Sequence, residues 1–262
     1  METVGIGRVI FWQGGSLWLA LITGVMQRHS HHAIQLCLPL DGTAQFKTDH
    51  DDEWVAYCGA LISPDVDHAF QAPGHVVANL LFEPESVLGR SVLSKYHRQP
   101  ITPITAVQVA AFVGPLREAY FNGADDPTLS DLAQRTIAAF AGVTIERTTI
   151  DHRVAEAIRE IRRRIDEPII LSKLARQFGL SPSRFRHLFV QETGVALRAF
   201  VLWERLNRAL SLGFAGGSWT EAAHAANFAD SAHLSRTSRR MFGFAPTKAR
   251  HEGPAISHRQ TA

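Results

Sequence analysis

The chain of 262 residues contains only two cysteines, Cys37 and Cys58. Two thiols cannot form the disulfide framework of a small secreted domain or a four-cysteine zinc site, so both classes of protein are excluded. Net charge is low as well, because 27 Lys and Arg against 25 Asp and Glu give +2, and charged residues make up 20% of the chain. That composition excludes a highly charged disordered protein. The length suits two globular domains of ordinary size.

A long uninterrupted apolar segment is also missing. Residues 9–27 carry no charge, but the sequence Gln-Gly-Gly-Ser at 13–16 interrupts them with turn residues. The segment is therefore predicted to form two strands, at 9–12 and 17–25, and neither a membrane span nor a signal peptide. We expect a cytoplasmic protein with no membrane partner.

The charges that are present are divided unevenly along the chain. Residues 1–150 carry 9 Lys and Arg against 15 Asp and Glu, a net charge of −6. Residues 151–262 carry 18 against 10, a net charge of +8. An acidic half joined to a basic half indicates that only the second half meets a polyanion such as nucleic acid.

The two halves also differ in predicted secondary structure. Short runs of aromatic and β-branched residues, separated by Gly, Pro and Asp, predict strands at 9–12, 17–25, 34–40, 44–47, 54–58 and 76–81. Two helices follow at 107–120 and 129–141, and Pro115 is expected to kink or split the first of them. We therefore expect an α+β chain with a β domain over residues 1–100, helices over 101–145 and an all-α domain over 151–252.

The all-α part contains clear helix signals. Apolar residues at 154, 158, 161 and 165 form one stripe of an amphipathic helix that Pro168 is expected to end. Ser181 is a natural N-cap, Ser218 opens a capping box, and Asn227 suits a left-handed turn. Further helices are predicted at about 172–178, 182–193, 196–210, 219–226 and 230–242.

These helices contain a weak internal repeat. Residues 174–183 lie over 222–231 at an offset of 48, and 185–194 over 234–243 at an offset of 49. Each copy consists of a short helix, a turn and a second helix that ends in glycine, which is the plan of a helix-turn-helix unit. The outward residues of the two second helices are candidate contacts to bases and phosphates. They are Ser183, Arg184, Arg186 and His187 in the first copy, and Ser231, Ser235, Arg236 and Arg239 in the second.

Residues 151–252 resemble the DNA-binding domain of AraC/XylS-type transcription regulators. The resemblance rests on the sequences Leu-Ser-Pro-Ser-Arg-Phe at 180–185 and Asn-Phe-Ala-Asp at 227–230, and on Met-Phe-Gly-Phe-Ala-Pro at 241–246. It implies two helix-turn-helix units joined by a long helix, with both recognition helices in successive major grooves of double-stranded DNA. It also implies a homodimer through the helices at 107–141, and RNA polymerase as a partner for an activator. Ser238 stands where the family usually has Phe, so the second unit is expected to have a looser core. Ala232 stands where family members often have a longer polar side chain that reaches bases.

The amino-terminal domain contains four polar residues at a suggestive spacing: His29, His31, Gln35 and His68. The pattern resembles the two cupin motifs, which implies a cupin-like β-barrel. Alternation along one strand would place residues 29, 31 and 35 on one face. Three imidazoles and an oxygen suit zinc, iron or nickel, but Gln35 replaces the glutamate of metal-binding cupins. We therefore interpret the four residues as an effector pocket for a small molecule of unknown identity, with no cofactor, and keep a metal site as the less favoured alternative.

Three functions compete for this sequence. The favoured interpretation is a sequence-specific transcription regulator, without enzymatic activity, that responds to a small-molecule effector. The second is a metal-dependent cupin enzyme with an accessory helical domain, which requires bound metal. The third is a nonspecific nucleoid protein, which would bind any DNA with steep salt dependence.

Overall fold

The protein is described by a computed structural model over residues 3–49, 53–96, 99–142 and 150–252. Residues 143–145, the end of the predicted middle segment, lie outside this part of the chain. The strands within the described ranges are β1 (Gly5–Trp12), β2 (Gly15–Ile22), β3 (Met26–His29), β4 (Ile34–Pro39), β5 (Ala44–Thr48), β6 (Val55–Tyr57), β7 (Gly59–Ile62), β8 (His68–Gln71), β9 (Val76–Phe82), β10 (Ile101–Ile104) and β11 (Ala249–His251).

The strands form two facing sheets. The larger has the order β10-β7-β4-β9-β2-β1-β11, and the smaller has the order β3-β8-β5-β6. Apolar residues from both sheets, among them Phe46, Phe70 and Cys37, pack together between them. The other face of the larger sheet, which includes Leu36 and Leu38, packs against helices. Strand β4 is therefore buried on both faces, which explains its almost wholly apolar sequence.

The chain changes sheets between His29 and Ile34. Strand β3 ends at His29 and pairs with β8 in the smaller sheet, whereas β4 begins at Ile34 and pairs with β7 and β9 in the larger one. The prediction that residues 29, 31 and 35 share one face of a single strand is therefore wrong. The chain changes sheets because β3 and β4 pair with different strands. The alternation of residues 29–35 carries no information about those pairing partners.

Three helices cover the larger sheet: α1 (Val87–Lys95), α2 (Ala106–Phe121) and α3 (Asp126–Ala141). Thr105 and Gln108 form a capping box at the start of α2, and Asp125 caps α3. Helix α2 is continuous across Pro115, so the expected split is not found. Buried Leu116, Ile137 and Phe140 attach these helices to the sheet.

The all-α domain consists of α4 (His152–Arg163), α5 (Leu171–Gln177), α6 (Pro182–Thr193), α7 (Leu197–Phe214), α8 (Trp219–Ala225) and α9 (Ser231–Phe242). Its predicted caps are confirmed, since Ser181 accepts from the N–H of Arg184 and Ser218 forms a capping box with Glu221. Helix α4 ends at Arg163, five residues before Pro168, and α7 extends to Phe214, four residues beyond the predicted end. None of the helices in the described chain is long and apolar enough to cross a membrane.

The two domains are joined by a strand and by a shared apolar cluster. Strand β11, which follows the last helix, pairs in parallel with β1 at the edge of the larger sheet. Trp18 of β2 packs against Phe242 and Phe214 of the helical domain, with ring centroids 5.0 and 5.6 Å apart. The predicted fold class, a β-rich amino-terminal domain with a helical carboxyl-terminal domain, is confirmed. Strands β3, β7, β8, β10 and β11 and helix α1 were not predicted.

Candidate functional site

The first helix-turn-helix unit consists of α5 and α6. Fully buried Ala175 lets the two helices approach closely, and Gly179 supplies the left-handed turn between them with φ of 67°. Phe185 and Phe189 anchor α6 in the core of this unit. The opposite face of α6 is exposed and contains all four candidate residues of the first copy, Ser183, Arg184, Arg186 and His187.

The second unit consists of α8 and α9, with Asn227 in the left-handed region at φ of 58° as predicted. Its core accommodates Ser238 through a hydrogen bond, because the buried Ser238 hydroxyl donates to the carbonyl oxygen of Phe244 at 2.8 Å. Arg236 and Arg239 are exposed on α9, whereas Ser231 and Ser235 are half-buried at the edge of that face. A DNA-contact role for these residues stays a prediction.

Two further arginines extend the basic surface. Arg198 of α7 and Arg240 of α9 are exposed, and together with Arg236 they line a groove of about 630 Å³ between these helices. Sequence reasoning missed both. Arg240 follows Arg236 by four residues, a spacing that places both on one face of a helix, and this signal could have identified it.

Three of the four polar candidates of the amino-terminal domain form a buried histidine cluster, His29, His31 and His68. One ring nitrogen from each lies within 4.8 Å of the other two. The ring centroids of His29 and His68 are 4.3 Å apart, and those of His31 and His68 are 5.5 Å apart. The sequence prediction that these residues come together is consistent with the fold, although β3, the segment between β3 and β4, and β8 supply them, an arrangement that was not predicted.

Backbone carbonyls fix the orientation of all three imidazoles. The Nδ1 atoms of His29, His31 and His68 lie 2.7, 2.9 and 2.9 Å from the carbonyl oxygens of Gln27, Ala33 and Val66, respectively. A carbonyl oxygen can only accept, so in neutral His29 and His68 Nδ1 carries the proton and Nε2 carries the lone pair. His31 faces acceptor oxygens at both ring nitrogens, because Gln35 Oε1 lies 3.0 Å from its Nε2, so its neutral ring can donate to only one of them. The Nε2 atom of His68 is buried without a hydrogen-bond partner.

Burial keeps the cluster uncharged. Desolvation, reinforced by the neighbouring imidazoles, lowers the pKa of His29 well below 6.5 and that of His68 to about 3. Desolvation also lowers the pKa of His31, although its hydrogen bonds oppose the shift. Gln35 lies beside the cluster, with Oε1 3.0 Å from His31 Nε2 and Nε2 2.8 Å from Asn79 Oδ1. Three neutral bases with an adjacent amide are equipped to bind a ligand and not to carry charge.

A cavity of about 60 Å³ separates the cluster from the helical domain. His29, His31 and Gln35 line one side of it, and Phe242, Phe244 and Arg250 of the helical domain line another. Trp18, Ile22 and Leu81 make the remaining wall mainly apolar. His68 is not among the residues that line this cavity. The predicted effector pocket is therefore placed where the two domains meet.

A charged contact also joins the domains near this cavity. Arg162 of α4 forms ion pairs with Glu83, which follows β9, and with Glu204 of α7, the second at 3.0 Å. Burial, followed by the neighbouring Glu85 carboxylate, raises the pKa of Glu83, and Arg162 opposes this shift. Arg90 of α1 makes a second interdomain pair with Glu192 at the end of α6, at 3.3 Å. The helical domain is thus held against the β domain at several points.

Comparisons with known proteins cover both domains. Residues 174–252 match the family described as Helix-turn-helix domain. The fold is similar to that of apo ToxT from Vibrio cholerae strain SCE256, with 10% identity, a TM-score of 0.57, and coverage of 92% of this chain and 98% of that one. A ToxT structure with a bound unsaturated fatty acid is similar at 11% identity, a TM-score of 0.52, and coverage of 90% and 92%.

A third similar structure is a transcriptional regulator of Chromobacterium violaceum, described as containing an AraC-type DNA-binding domain. It is 28% identical over 37% of this chain and 88% of that one, with a TM-score of 0.36. No curated protein matches the chain in sequence. The family match includes both helix-turn-helix units, and the ToxT fold includes the β domain as well.

Proposed function

We propose that the chain is an AraC-type DNA-binding transcription regulator and not an enzyme, because residues 174–252 match a helix-turn-helix family. We also propose that a small effector bound beside the histidine cluster controls it. The effector would alter how the helical domain rests on the β domain and, through that contact, how the two recognition helices meet DNA.

The observation that carries this proposal is the shared lining of the cavity. An effector between His31 and Phe242 touches both domains at once, so its binding energy depends on how the domains are docked. A ligand shifts an equilibrium only when it binds the two states with different affinity, and this position supplies that difference. By reciprocity, DNA binding then changes effector affinity by the same factor.

The cavity volume limits the kind of effector. A pocket for a drug-sized ligand measures about 300–1,000 Å³, and the cavity here measures about 60 Å³. A ToxT structure contains an unsaturated fatty acid, but a ligand of that length would have to separate the two domains of this chain. We therefore propose a small effector that fits the docked state, of the size of an ion with a few water molecules or a short acid.

On DNA, the two recognition helices would occupy successive major grooves. Helix α6 would read bases through Arg186 and His187, and helix α9 through Arg236. Ser183, Arg184, Ser231, Ser235 and Arg239 would contact phosphates or base edges. We further propose a cytoplasmic homodimer that pairs through α2 and α3, where Val107 and Phe121 are exposed, and that contacts RNA polymerase if it activates transcription.

Selection of genomic fragments tests the DNA-binding part of the proposal. The purified full chain is incubated with fragments of the source genome near physiological salt, with excess competitor DNA, and the bound fragments are sequenced. We expect a motif with two blocks about one helical turn apart, which means about 10 base pairs. Binding without any enriched motif, together with steep salt dependence, would instead identify the nonspecific DNA-binding protein.

A further inference from the structure

We propose that His29, His31 and His68 bind one divalent transition-metal ion of the zinc type, and that this ion is the effector of the regulatory site. The regulatory meaning of the ion rests on the function proposed above, whereas its binding does not. The sequence alone favoured a pocket without metal, because the glutamate of metal-binding cupins is missing. The arrangement of the three imidazoles reverses that preference.

The three imidazoles already have the form that metal ligands take. In metal sites, one ring nitrogen of a histidine donates to a carbonyl or a carboxylate, which fixes the tautomer and aims the other nitrogen at the ion. Here the Nδ1 atom of each of the three residues faces a backbone carbonyl oxygen. At His31 the Nε2 atom also faces the Gln35 oxygen, 3.0 Å away, which is close to the separation of two ligands of one ion. The buried Nε2 of His68 has no hydrogen-bond partner among the described residues. A buried polar atom without a partner is costly unless something binds it, so it marks the place of a ligand.

The dimensions of the cluster suit a transition metal after a small adjustment. Zinc binds imidazole nitrogen at about 2.0–2.1 Å, which places the ligands of a tetrahedral site about 3.3 Å from one another. The three donors lie within 4.8 Å of one another. Small rotations about the side-chain bonds, which move each ring nitrogen by less than about an ångström, would bring the three nitrogens to bonding distance from one ion. The Oε1 atom of Gln35, 3.0 Å from His31 Nε2, stands beside the same position as an oxygen donor.

The donor set selects the class of ion. Three neutral imidazoles suit zinc, cobalt, nickel and copper, whereas magnesium and calcium prefer oxygen ligands. A facial site for iron needs two histidines and a carboxylate, and the cluster found in the described chain contains no carboxylate. An anion that enters from the adjacent cavity would then balance the two positive charges of the bound ion. This site would therefore favour zinc-like ions with an open fourth position.

The position of the cluster links the ion to the DNA-binding domain. His29 donates to the carbonyl of Gln27, and the N–H of Gln27 donates to the carbonyl of Gly243 at the end of α9, at 3.1 Å. The ring of His31 lies 6.2 Å from that of Phe242 and 6.1 Å from that of Trp203, both in the helical domain. An ion that fixes His29 and His31 would therefore stiffen the surface on which the second helix-turn-helix unit is docked.

Cobalt titration of the metal-free, untagged full chain tests the site. Visible absorption reports four-coordinate Co²⁺ directly, and competition with Zn²⁺ gives the affinity for zinc. We expect one ion per chain. His68→Gln should weaken binding by on the order of 100-fold or more, since loss of a supporting partner alone costs 10–100-fold. The matched control is His75→Gln, which removes a half-exposed histidine beside Asp41 and should leave the cobalt spectrum and affinity unchanged.

The outcomes separate the two proposals. Less than one ion on the wild-type chain, or equal binding by His68→Gln and His75→Gln, would overturn the metal site whatever happens on DNA. Circular dichroism of His68→Gln confirms that it folds, and the wild-type cobalt spectrum decides the question even where it does not. Metal binding with no change in hydrogen exchange at the Gln27 N–H would overturn the link to the helical domain. Absence of a DNA motif, by contrast, would overturn the function proposed above and leave the metal site standing.

Discussion

At the scale of single residues, Arg186 is the sharpest test of DNA recognition. It is exposed on α6, on the face opposite buried Phe185 and Phe189. Arginine can donate two hydrogen bonds to the O6 and N7 atoms of guanine. We expect Arg186→Ala to weaken binding to the selected motif by about 1–3 kcal/mol and to relax the preference at one base position. Binding of a library of motif variants measures both effects.

The control for that experiment is Arg28→Ala. Arg28 is an exposed arginine of β3 that pairs with Asp67 within the β domain, so its removal should leave the DNA affinity unchanged. A uniform loss of affinity on all sequences for Arg186→Ala would reassign Arg186 to a phosphate contact. No loss at all would remove α6 from the DNA interface.

The histidine cluster gives a prediction for pH. Burial lowers the pKa of His29, His31 and His68 in the folded chain, to about 3 for His68, against 6.5 in the unfolded chain. Between these values the unfolded chain binds more protons, so stability is present above pH 6.5 and is lost as the pH falls. We expect the free energy of unfolding of the metal-free chain to decrease from pH 7 to 5. Each histidine contributes up to about 1.4 kcal/mol per pH unit.

Denaturant unfolding at several pH values in the presence of a chelator measures this slope. His68→Gln has one titrating group fewer and should show a shallower decrease, whereas His75→Gln should follow the wild type. A free energy of unfolding that stays constant between pH 7 and 5 would contradict the buried, neutral state of the cluster.

At the scale of elements, the end of α9 is the contact that joins a recognition helix to the β domain. Gly243 has a φ of 75°, and a Cβ atom there would lie 2.2 Å from the Gln27 carbonyl oxygen and 2.8 Å from His29 Nδ1. Gly194 ends α6 with a φ of 82° but has open space around it. The positive φ favours glycine at both positions. Only at Gly243 would a side chain also collide with the β domain.

We therefore expect Gly243→Ala to destabilise the chain more than Gly194→Ala. The substitution at Gly194 should cost about 1–2 kcal/mol, which is the penalty of a left-handed backbone. The substitution at Gly243 adds a clash with β3. The loss of unfolding free energy beyond that of Gly194→Ala therefore measures how strongly α9 is docked on the β domain. Chemical unfolding gives both free energies, and hydrogen exchange at the Gln27 N–H locates the loss. Equal costs for the two variants would mean that α9 is not held by β3.

The elements that could be predicted from sequence are those whose signals are local. Ser181, Ser218 and Asn227 determine helix starts and a turn through bonds within a few residues, so the helical half was predicted closely. Strand membership depends on distant partners. Strand β11 pairs with β1 across most of the chain, and β10 pairs with β7 beyond two intervening strands and a helix. These short segments show no alternation long enough to be detected.

The same reasoning explains what was missed at the site. The motif spacing identified His29, His31 and His68, because each lies in or beside a strand of the β domain. It could not show that Phe242, Phe244 and Arg250 complete the cavity, since these residues come from the other domain. Nor could it show that the carbonyls of Gln27, Ala33 and Val66 orient the three rings, because every residue has a backbone carbonyl.

At the scale of the whole molecule, Arg162 holds the two domains together through Glu83 and Glu204. All three side chains are largely buried, with exposed fractions of 21, 11 and 13%. Removal of one partner from a buried pair is strongly destabilising, by about 3–5 kcal/mol, because it leaves an unpaired charge. Arg162→Met would leave two carboxylates facing each other, and their repulsion would act across the domain boundary.

We expect Arg162→Met to undock the helical domain, so that denaturant unfolding changes from one transition to two, the domains then melting separately. The matched control on the same helix is Arg159→Met, since Arg159 is exposed and its ion pair in the described part of the chain is with Glu156, three residues away. That variant should keep the single transition and lose less than about 1 kcal/mol. If Arg162→Met also keeps one transition, the apolar contacts of Trp18 and the β1–β11 pairing hold the domains without the ion pairs. An effector at the cavity would then have to act through those contacts alone.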